Sequence, residues 1–356
     1  GLNKVVTFTA MQNVLLPTLR IVAVLLVIAI AGNIVALALA WSVPVIIVAL
    51  TTIVMVRKSL PRGEDQVIAN APPEETAKSF WGFSSARGVS AVVESILEWI
   101  DVLCVGLFLG VAASGMYGAI NRMVRMGVMV DHIGRVVTGP AISAAIATGK
   151  MREAQAIFVD NTRALIAVGW PFYITLAFFG PTLMEVFGKG FSQAAGVLWV
   201  ICPTMMIAMA AGGVQSVLLM SGKSRWQLYN KLSALTVALV LNFWLVPLWG
   251  LYGAVTAWSA SVLTDTTLAA FQVVRLVGIK ARPSDMIVVM VLPTLIPLGG
   301  ALLISKFMGQ GWPALFAYAA IVLPIYGYLM YRFRELIGVE ALFNSRKNTY
   351  QGKHFI

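Results

Sequence analysis

The chain has 356 residues, of which 59% are hydrophobic and only 12% are charged, and its formal net charge is +11. Soluble domains contain about 45–50% apolar and about 25% charged residues. The composition therefore excludes a soluble enzyme, a disordered chain and a secreted disulfide scaffold. It indicates an all-α, polytopic membrane protein. Because the two cysteines lie in apolar runs and only two histidines occur, we expect no metal, no cofactor and no enzymatic activity.

Ten apolar segments are long enough to cross a bilayer, which takes roughly 20 helical residues. We therefore expect about ten transmembrane helices. In chain order they cover residues 15–33, 35–56, 88–109, 112–137, 164–187, 194–220, 228–247, 252–274, 286–305 and 313–331.

The basic residues predict the orientation of these helices. If the ten spans alternate in direction, 20 of the 26 Lys and Arg residues lie on one side, and only Lys189 and Lys306 lie on the other. Cytoplasmic loops are enriched in Lys and Arg. We therefore expect a multi-pass protein of the cytoplasmic (inner) membrane with both termini in the cytoplasm. The positive charge is explained by this topology, so we expect no nucleic-acid partner.

A polar, proline-containing segment over residues 57–87 divides the spans and is typical of a linker. We expect two helices before it, within residues 1–56, and a six-helix bundle after it, within residues 88–276. Two additional helices follow over residues 277–333, and residues 334–356 form a basic cytoplasmic tail.

Ionisable side chains inside a bilayer are costly, and they usually face a cavity or a charged partner. Arg20 is such a residue in the first span, but most are concentrated in the third and fourth. These are Glu94, Glu98 and Asp101 in the third span, and Arg122, Arg125, Asp131, His132 and Arg135 in the fourth. We take all of them except His132 as candidate substrate-binding charges.

The third and fourth spans are predicted to form an antiparallel hairpin that turns near residue 111 or 112. Asp101 then lies as far before the turn as Arg122 lies after it, and Glu98 and Arg125 are related in the same way. Two interpretations remain open. The pairs are internal salt bridges that lock the hairpin, or they line a polar cavity in which the arginines bind phosphate oxygens. Our hypothesis for the second case is a pyrophosphate bound by Arg122 and Arg125.

We interpret the other polar residues in the spans as structural and not as parts of a binding site. Asp265 and Asn242 are typical of residues that form packing hydrogen bonds. Lys231 lies near the inner end of a span, where we expect water to solvate it.

A series of short motifs runs in a fixed order from Ile100 to Val277. After Ile100-Asp101 the motifs are GMYGA (115–119), GPAIS (139–143), GKGFSQA (188–194), SGK (221–223) and GLYGA (250–254). With their spacing, they resemble the polysaccharide-transporter, or O-antigen flippase, branch of the multidrug/oligosaccharidyl-lipid/polysaccharide exporter superfamily.

The resemblance implies a fold of two six-helix lobes around a central cavity. The ten spans look like the fifth to fourteenth helices of a fourteen-helix member, so residues 1–56 would hold the last two helices of the N-terminal lobe. The first four helices would then be absent, which agrees with a chain that begins at Gly1 and not at Met.

The implied function is a flippase that moves a polyprenyl-pyrophosphate-linked oligosaccharide across the cytoplasmic membrane by alternating access, for cell-surface polysaccharide assembly. Its partners would be this lipid-linked substrate and the bilayer. A proton or sodium gradient and glycan-assembly proteins are further candidates.

Three alternatives remain open. A cation-coupled multidrug exporter of the same superfamily would favour the buried carboxylates over the arginines. A peptidoglycan-precursor flippase would differ in substrate only. A truncated chain could also act as the subunit of a partner protein.

Overall fold

The computed structural model describes residues 11–30, 32–59, 73–279 and 283–334, and all regular elements in these residues are helical. The predicted all-α fold is confirmed. The chain divides into two compact units, residues 1–78 and residues 79–356.

The first unit contains a helical hairpin. A single π-helical turn, Met11–Leu15, leads into α1 (Leu16–Ala29), and α2 (Ile34–Ser59) returns alongside it. The Asn33 side chain accepts a hydrogen bond from the Ala36 amide at 2.9 Å, which satisfies one free amide at the start of α2.

The remaining helices begin with α3 (Pro73–Leu109), α4 (Val111–Ala147), α5 (Met151–Phe178) and the short α6 (Gly180–Met184). Two 3₁₀ segments, Glu185–Phe187 and Lys189–Val197, lead into α7 (Leu198–Ala210) and α8 (Val214–Met220). The chain continues through α9 (Ser224–Trp249), α10 (Leu251–Gln272) with a π-helical end at Val273–Val277, α11 (Pro283–Met308) and α12 (Trp312–Arg332).

The segment expected to be a linker, residues 57–87, is partly helical. Helix α2 continues to Ser59 and α3 begins at Pro73, while residues 60–72 lie outside the described residues. Proline at the first helical position favours a helix start there, because the amide that proline lacks would have no intrahelical partner at that position. The predicted basic tail lies outside the described residues beyond residue 334.

The structure confirms a polytopic membrane protein. Within the described ranges, six helical segments are long and apolar enough to cross a bilayer, and α5 with α6 makes a seventh if the bent pair counts as one span. The other three predicted spans fall on the shorter apolar α1 and on α3 and α4, which are charged in their interiors. Helices α3 and α4 each have 37 residues, about 55 Å of helix, which exceeds the roughly 30 Å hydrocarbon core.

The span predicted over residues 164–187 is not continuous. The chain bends by 82° between α5 and the helical segment Gly180–Phe187. Pro181 explains the break, because proline provides no amide for the hydrogen-bond ladder and disfavours helical geometry at the residue before it.

Helix α5 lies at the centre of the second unit, packed against α4, α7 and α11. The buried Tyr173 hydroxyl donates to the Val124 carbonyl of α4 at 3.1 Å. The buried Tyr326 hydroxyl of α12 donates to the Ala167 carbonyl of α5 at 2.5 Å. These bonds satisfy hydroxyl groups that have no access to water. The first holds the long charged helix α4 against α5, and the second holds α12 against α5.

Helices α9 and α10 form the tightest hairpin of the second unit, with their turn at Gly250. A Cβ atom at Gly253 would lie 2.1 Å from the Leu245 carbonyl oxygen. Glycine is therefore required there for the two backbones to approach each other.

Candidate functional site

The hairpin of α3 and α4 carries seven of the eight predicted site residues. It turns at Gly110, whose φ of 89° lies in the left-handed region that glycine adopts readily. The Ser114 hydroxyl donates to the Val102 carbonyl at 3.1 Å and ties the two helices together beside the turn. The turn falls within two residues of its predicted position.

The sequence predicts two pairs of oppositely charged residues at equal depth in the hairpin, and one of these pairs is an ion pair. The Arg125 guanidinium contacts Glu98 Oε1, and its second nitrogen lies 3.4 Å from the Glu98 carbonyl oxygen. The guanidinium also lies 5.6 Å from the centre of the Trp99 ring, within cation–π range. These contacts hold the side chain in one orientation.

The Glu98–Arg125 pair lies on a surface of the unit, because the two side chains are 43% and 44% exposed. Arg125 is about 21 Å along α4 from the turn, at 1.5 Å per residue, which is less than the roughly 30 Å thickness of the hydrocarbon core. A charged pair exposed at this depth is expected to face a polar cavity rather than lipid.

The second pair predicted at equal depth, Asp101 and Arg122, forms no ion pair. Asp101 is 2% exposed and accepts a hydrogen bond from the Asn242 amide of α9 at 2.6 Å. Arg122 is exposed and has no ion pair with any described residue. Residues three apart on an α-helix point in directions about 60° apart. Asp101, three residues after Glu98, therefore faces α9 and not α4, although its depth matches that of Arg122.

A cavity of about 360 Å³ opens beside the Glu98–Arg125 pair, and its polar lining residues are Glu98, Arg125, His132 and Arg135. Arg135 is held by Asp131, four residues earlier, at 2.8 Å. The Arg135 Nε atom is buried without a hydrogen-bond partner among the described residues. The cavity wall thus offers two guanidinium groups and an imidazole, which can all donate to an anion.

Glu94 belongs to a different cluster, which was not predicted from the sequence. The Lys231 ammonium of α9 lies 2.8 Å from Asp265 Oδ2 on α10 and 3.4 Å from Glu94 Oε1 on α3. The Gln215 amide of α8 donates to the same Asp265 oxygen. The prediction that water solvates Lys231 at a helix end is wrong, because its side chain is only 14% exposed.

A signal for this cluster is present in the sequence. Lys231 and Asp265 lie nineteen residues before and fifteen residues after the turn at Gly250, so their depths in the α9–α10 hairpin differ by about 6 Å, which is within reach of the long lysine side chain. The buried residues Asn230 and Gln272, which lie twenty residues before and twenty-two residues after the same turn, form reciprocal amide hydrogen bonds of 2.8 and 2.7 Å.

Arg20 lies in the first unit and is bound within its hairpin. Its Nε atom donates to the Trp41 carbonyl at 3.2 Å, and its guanidinium lies 4.6 Å from the centre of the Trp41 ring.

No solved structure matches the chain. The sequence profile of a family described as "Polysaccharide biosynthesis protein" matches residues 6–145. A probable low-salt glycan biosynthesis flippase, Agl15 of Haloferax volcanii, is 23% identical over 222 residues, which are 60% of this chain and 46% of that protein. The matches support the polysaccharide transporter and flippase family.

The match to the polysaccharide family covers α3 and all but the last two residues of α4, and with them the residues that line the charged cavity. The relative's name describes a transporter and not a catalytic enzyme. The chain spans about half the length of this curated relative.

Proposed function

We propose that the chain is part of a flippase that moves a polyprenyl-pyrophosphate-linked oligosaccharide across the cytoplasmic membrane, for cell-surface polysaccharide assembly, by alternating access. The observation that carries this proposal is a series of three arginines on α4, of which Arg122 and Arg125 lie within about 21 Å of the turn at Gly110 and thus at bilayer depth. Arg125 and Arg135 line the cavity, and Arg122 is exposed without an ion pair to a described residue.

A diphosphate fits these groups better than a neutral sugar does. Guanidinium groups form paired, charge-assisted hydrogen bonds with phosphate oxygens, and Glu98 holds Arg125 in place until an anion competes for it. The lipid tail can stay in the bilayer while the charged headgroup crosses a polar cavity. An inside-negative membrane potential favours outward movement of the anion by about 2.3 kcal/mol per charge per 100 mV.

The proposed orientation has both termini in the cytoplasm and the Gly110 turn at the outer surface. It is supported by the distribution of basic residues, of which 20 of 26 fall on the predicted inner side. Lys231 is one of these 20, and its burial in an ion-paired cluster leaves the bias towards that side almost unchanged.

The test is transport in cells whose own copy of the gene is deleted. We expect Arg122→Ala with Arg125→Ala to lower cell-surface polysaccharide and to cause its lipid-linked precursor to accumulate. Arg152→Ala is the matched control, because Arg152 is an exposed arginine at the start of α5, away from the cavity. Surface polysaccharide equal to that of the control, at equal protein level, would refute the role of the two arginines.

A second proposal is that the chain acts as a subunit with a partner protein. It is supported by the exposure of the Glu98–Arg125 pair at bilayer depth, where another protein surface would shield the charges from lipid. Light scattering of the purified chain, alone and with proteins of the same glycan-assembly system, measures this directly. A chain that transports while monomeric would contradict it.

A further inference from the structure

Four buried polar side chains come from four different helices of the second unit. They are Asp101 of α3, Tyr117 of α4, Asn242 of α9 and Ser259 of α10. Each lies seven to nine residues along its helix from the turn at Gly110 or Gly250, which is about 10–14 Å. The two turns are neighbours, because a Cβ atom at Gly250 would lie 3.9 Å from Leu109 Cδ1. The four side chains therefore lie at similar depth, near the middle of a hydrocarbon core roughly 30 Å thick.

The carboxylate of Asp101 is buried without a cationic partner in the described part of the chain. It is only 2% exposed, and the salt bridges between described residues all join other groups. Its Oδ1 atom accepts a hydrogen bond from the neutral amide of Asn242 at 2.6 Å. A neutral donor leaves the charge of a carboxylate in place, and an unbalanced charge is costly inside a bilayer. A bound cation would balance it.

Three oxygen atoms of the same four side chains have no hydrogen-bond partner among the described residues. They are Tyr117 Oη, Asn242 Oδ1 and Ser259 Oγ, and all three are buried. The Asn242 amide nitrogen donates to Asp101 and to the Ala238 carbonyl, at 2.6 and 2.8 Å, which fixes the orientation of the amide. Its oxygen therefore lies within about 5 Å of the Asp101 carboxylate. Buried polar atoms without a partner are rare, and they call for a ligand or a water molecule.

The donor set of these side chains fits a small monovalent metal cation. Hard cations bind to oxygen ligands, and every polar atom named above apart from the amide nitrogen is an oxygen. One carboxylate among neutral oxygens carries a single negative charge, so Na⁺ leaves the cluster neutral, whereas Ca²⁺ or Mg²⁺ would leave a buried positive charge. A divalent site usually gathers several carboxylates, and the described residues contain no group of three or more His, Cys, Asp or Glu side chains placed to hold a metal ion.

We propose that Asp101, Tyr117, Asn242 and Ser259 form a binding site for one monovalent metal cation, with Na⁺ as its probe. The site is separate from the arginine cavity, because none of the four residues lines that cavity. A cation bound there joins α3 and α4 to the α9–α10 hairpin through its ligands. The use of this cation to drive transport rests on the function proposed above, but its binding does not.

The test is thermal unfolding of the whole chain in detergent micelles, with NaCl replacing choline chloride at constant ionic strength. A ligand that binds only the folded protein raises the melting temperature as its concentration exceeds Kd. We expect this rise for the wild type and its loss for Asp101→Asn. The matched control is Asn230→Ala, which removes another buried asparagine of α9. It is expected to lower the melting temperature but to keep the response to Na⁺.

Two variants that each remove one hydroxyl oxygen provide a second readout, which also serves if Asp101→Asn does not fold. They are Tyr117→Phe and Ser259→Ala, and the readout is equilibrium binding of radioactive ²²Na⁺. We expect each variant to raise the half-saturating concentration by about tenfold or more, because it loses a bond to a charged ligand. Ser261→Ala is the matched control, because the buried Ser261 hydroxyl already donates to the Ala234 carbonyl at 2.9 Å.

Three results would overturn the proposal. The first is a wild type whose melting temperature and ²²Na⁺ binding show no response to Na⁺. The second is wild-type affinity for Na⁺ in both hydroxyl variants, and the third is displacement of ²²Na⁺ by micromolar Ca²⁺, which would contradict the charge argument for a monovalent cation. None of these measurements needs a glycan substrate, so a failure here leaves the proposed flippase function standing, and a chain that does not transport can still bind Na⁺.

Discussion

Replacing Lys231 by methionine is the substitution in this chain whose effect on stability follows most directly from the structure. It leaves the carboxylates of Glu94 and Asp265 without the ammonium that lies 3.4 and 2.8 Å from them. Removing one partner of a buried ion pair costs about 3–5 kcal/mol. Asp265→Asn costs less, about 1–3 kcal/mol, because Lys231 keeps its contact with Glu94 and Gln215 can bond the new amide.

The double variant Lys231→Met/Asp265→Asn distinguishes this reasoning from a simple loss of packing. It removes the two most buried charges together and leaves Glu94, whose side chain is 39% exposed and can be reached by water. We therefore expect the double variant to unfold at a higher temperature than Lys231→Met alone. The assay is thermal unfolding in detergent micelles, with Lys150→Met as the exposed control. Equal melting temperatures for Lys231→Met and the wild type, or a double variant less stable than Lys231→Met, would refute the reasoning.

Two further substitutions test the packing of the second unit. Gly253→Val places side-chain atoms against the Leu245 carbonyl, whose oxygen would lie 2.1 Å from the new Cβ, and overpacking of this kind costs about 1–3 kcal/mol or more. The control is Gly299→Val, where the new Cβ meets open space. A melting temperature of Gly253→Val no lower than that of this control would contradict the prediction. Asn242→Leu removes the donor at 2.6 Å from the buried Asp101 and is expected to lower the thermal stability measured in the same micelles. Adding Asp101→Leu should restore much of it, because replacing both partners leaves no unsatisfied group, and a double variant that is less stable than Asn242→Leu would argue against this bond.

The sequence was sufficient to predict the helical hairpins and one ion pair. The ten predicted apolar segments fall on helices of the described residues, although only six of these helices, or seven with the bent pair, are long and apolar enough to cross a bilayer. Length and hydropathy are nearly all that a bilayer requires of a span. The turn at Gly110 and the Glu98–Arg125 pair followed from counting residues along two antiparallel helices of equal rise.

The partners of Asp101 and Lys231 and the bend after α5 could not be predicted from the depth of each residue in the membrane. Asp101 and Arg122 match in depth, but the rotation of each residue about its helix axis decides its partner, and this rotation depends on how α3 packs against α9. Lys231 is predicted to lie near the inner end of a span, where water would solvate it, so its pairing with Asp265 was missed. The 82° bend after α5 also lies inside a continuous apolar run, where hydropathy shows no interruption.

The central claim is that arginines of α4 bind the diphosphate of a lipid-linked glycan during its passage across the membrane. The most direct measurement is the rate at which proteoliposomes containing the chain translocate a fluorescent polyprenyl-diphosphate oligosaccharide. Losing hydrogen bonds to a charged group costs about 1.5–3 kcal/mol each, so Arg122→Ala/Arg125→Ala should lower the rate by at least about tenfold relative to Arg152→Ala. Equal rates for these two variants, both above protein-free liposomes, would contradict the account.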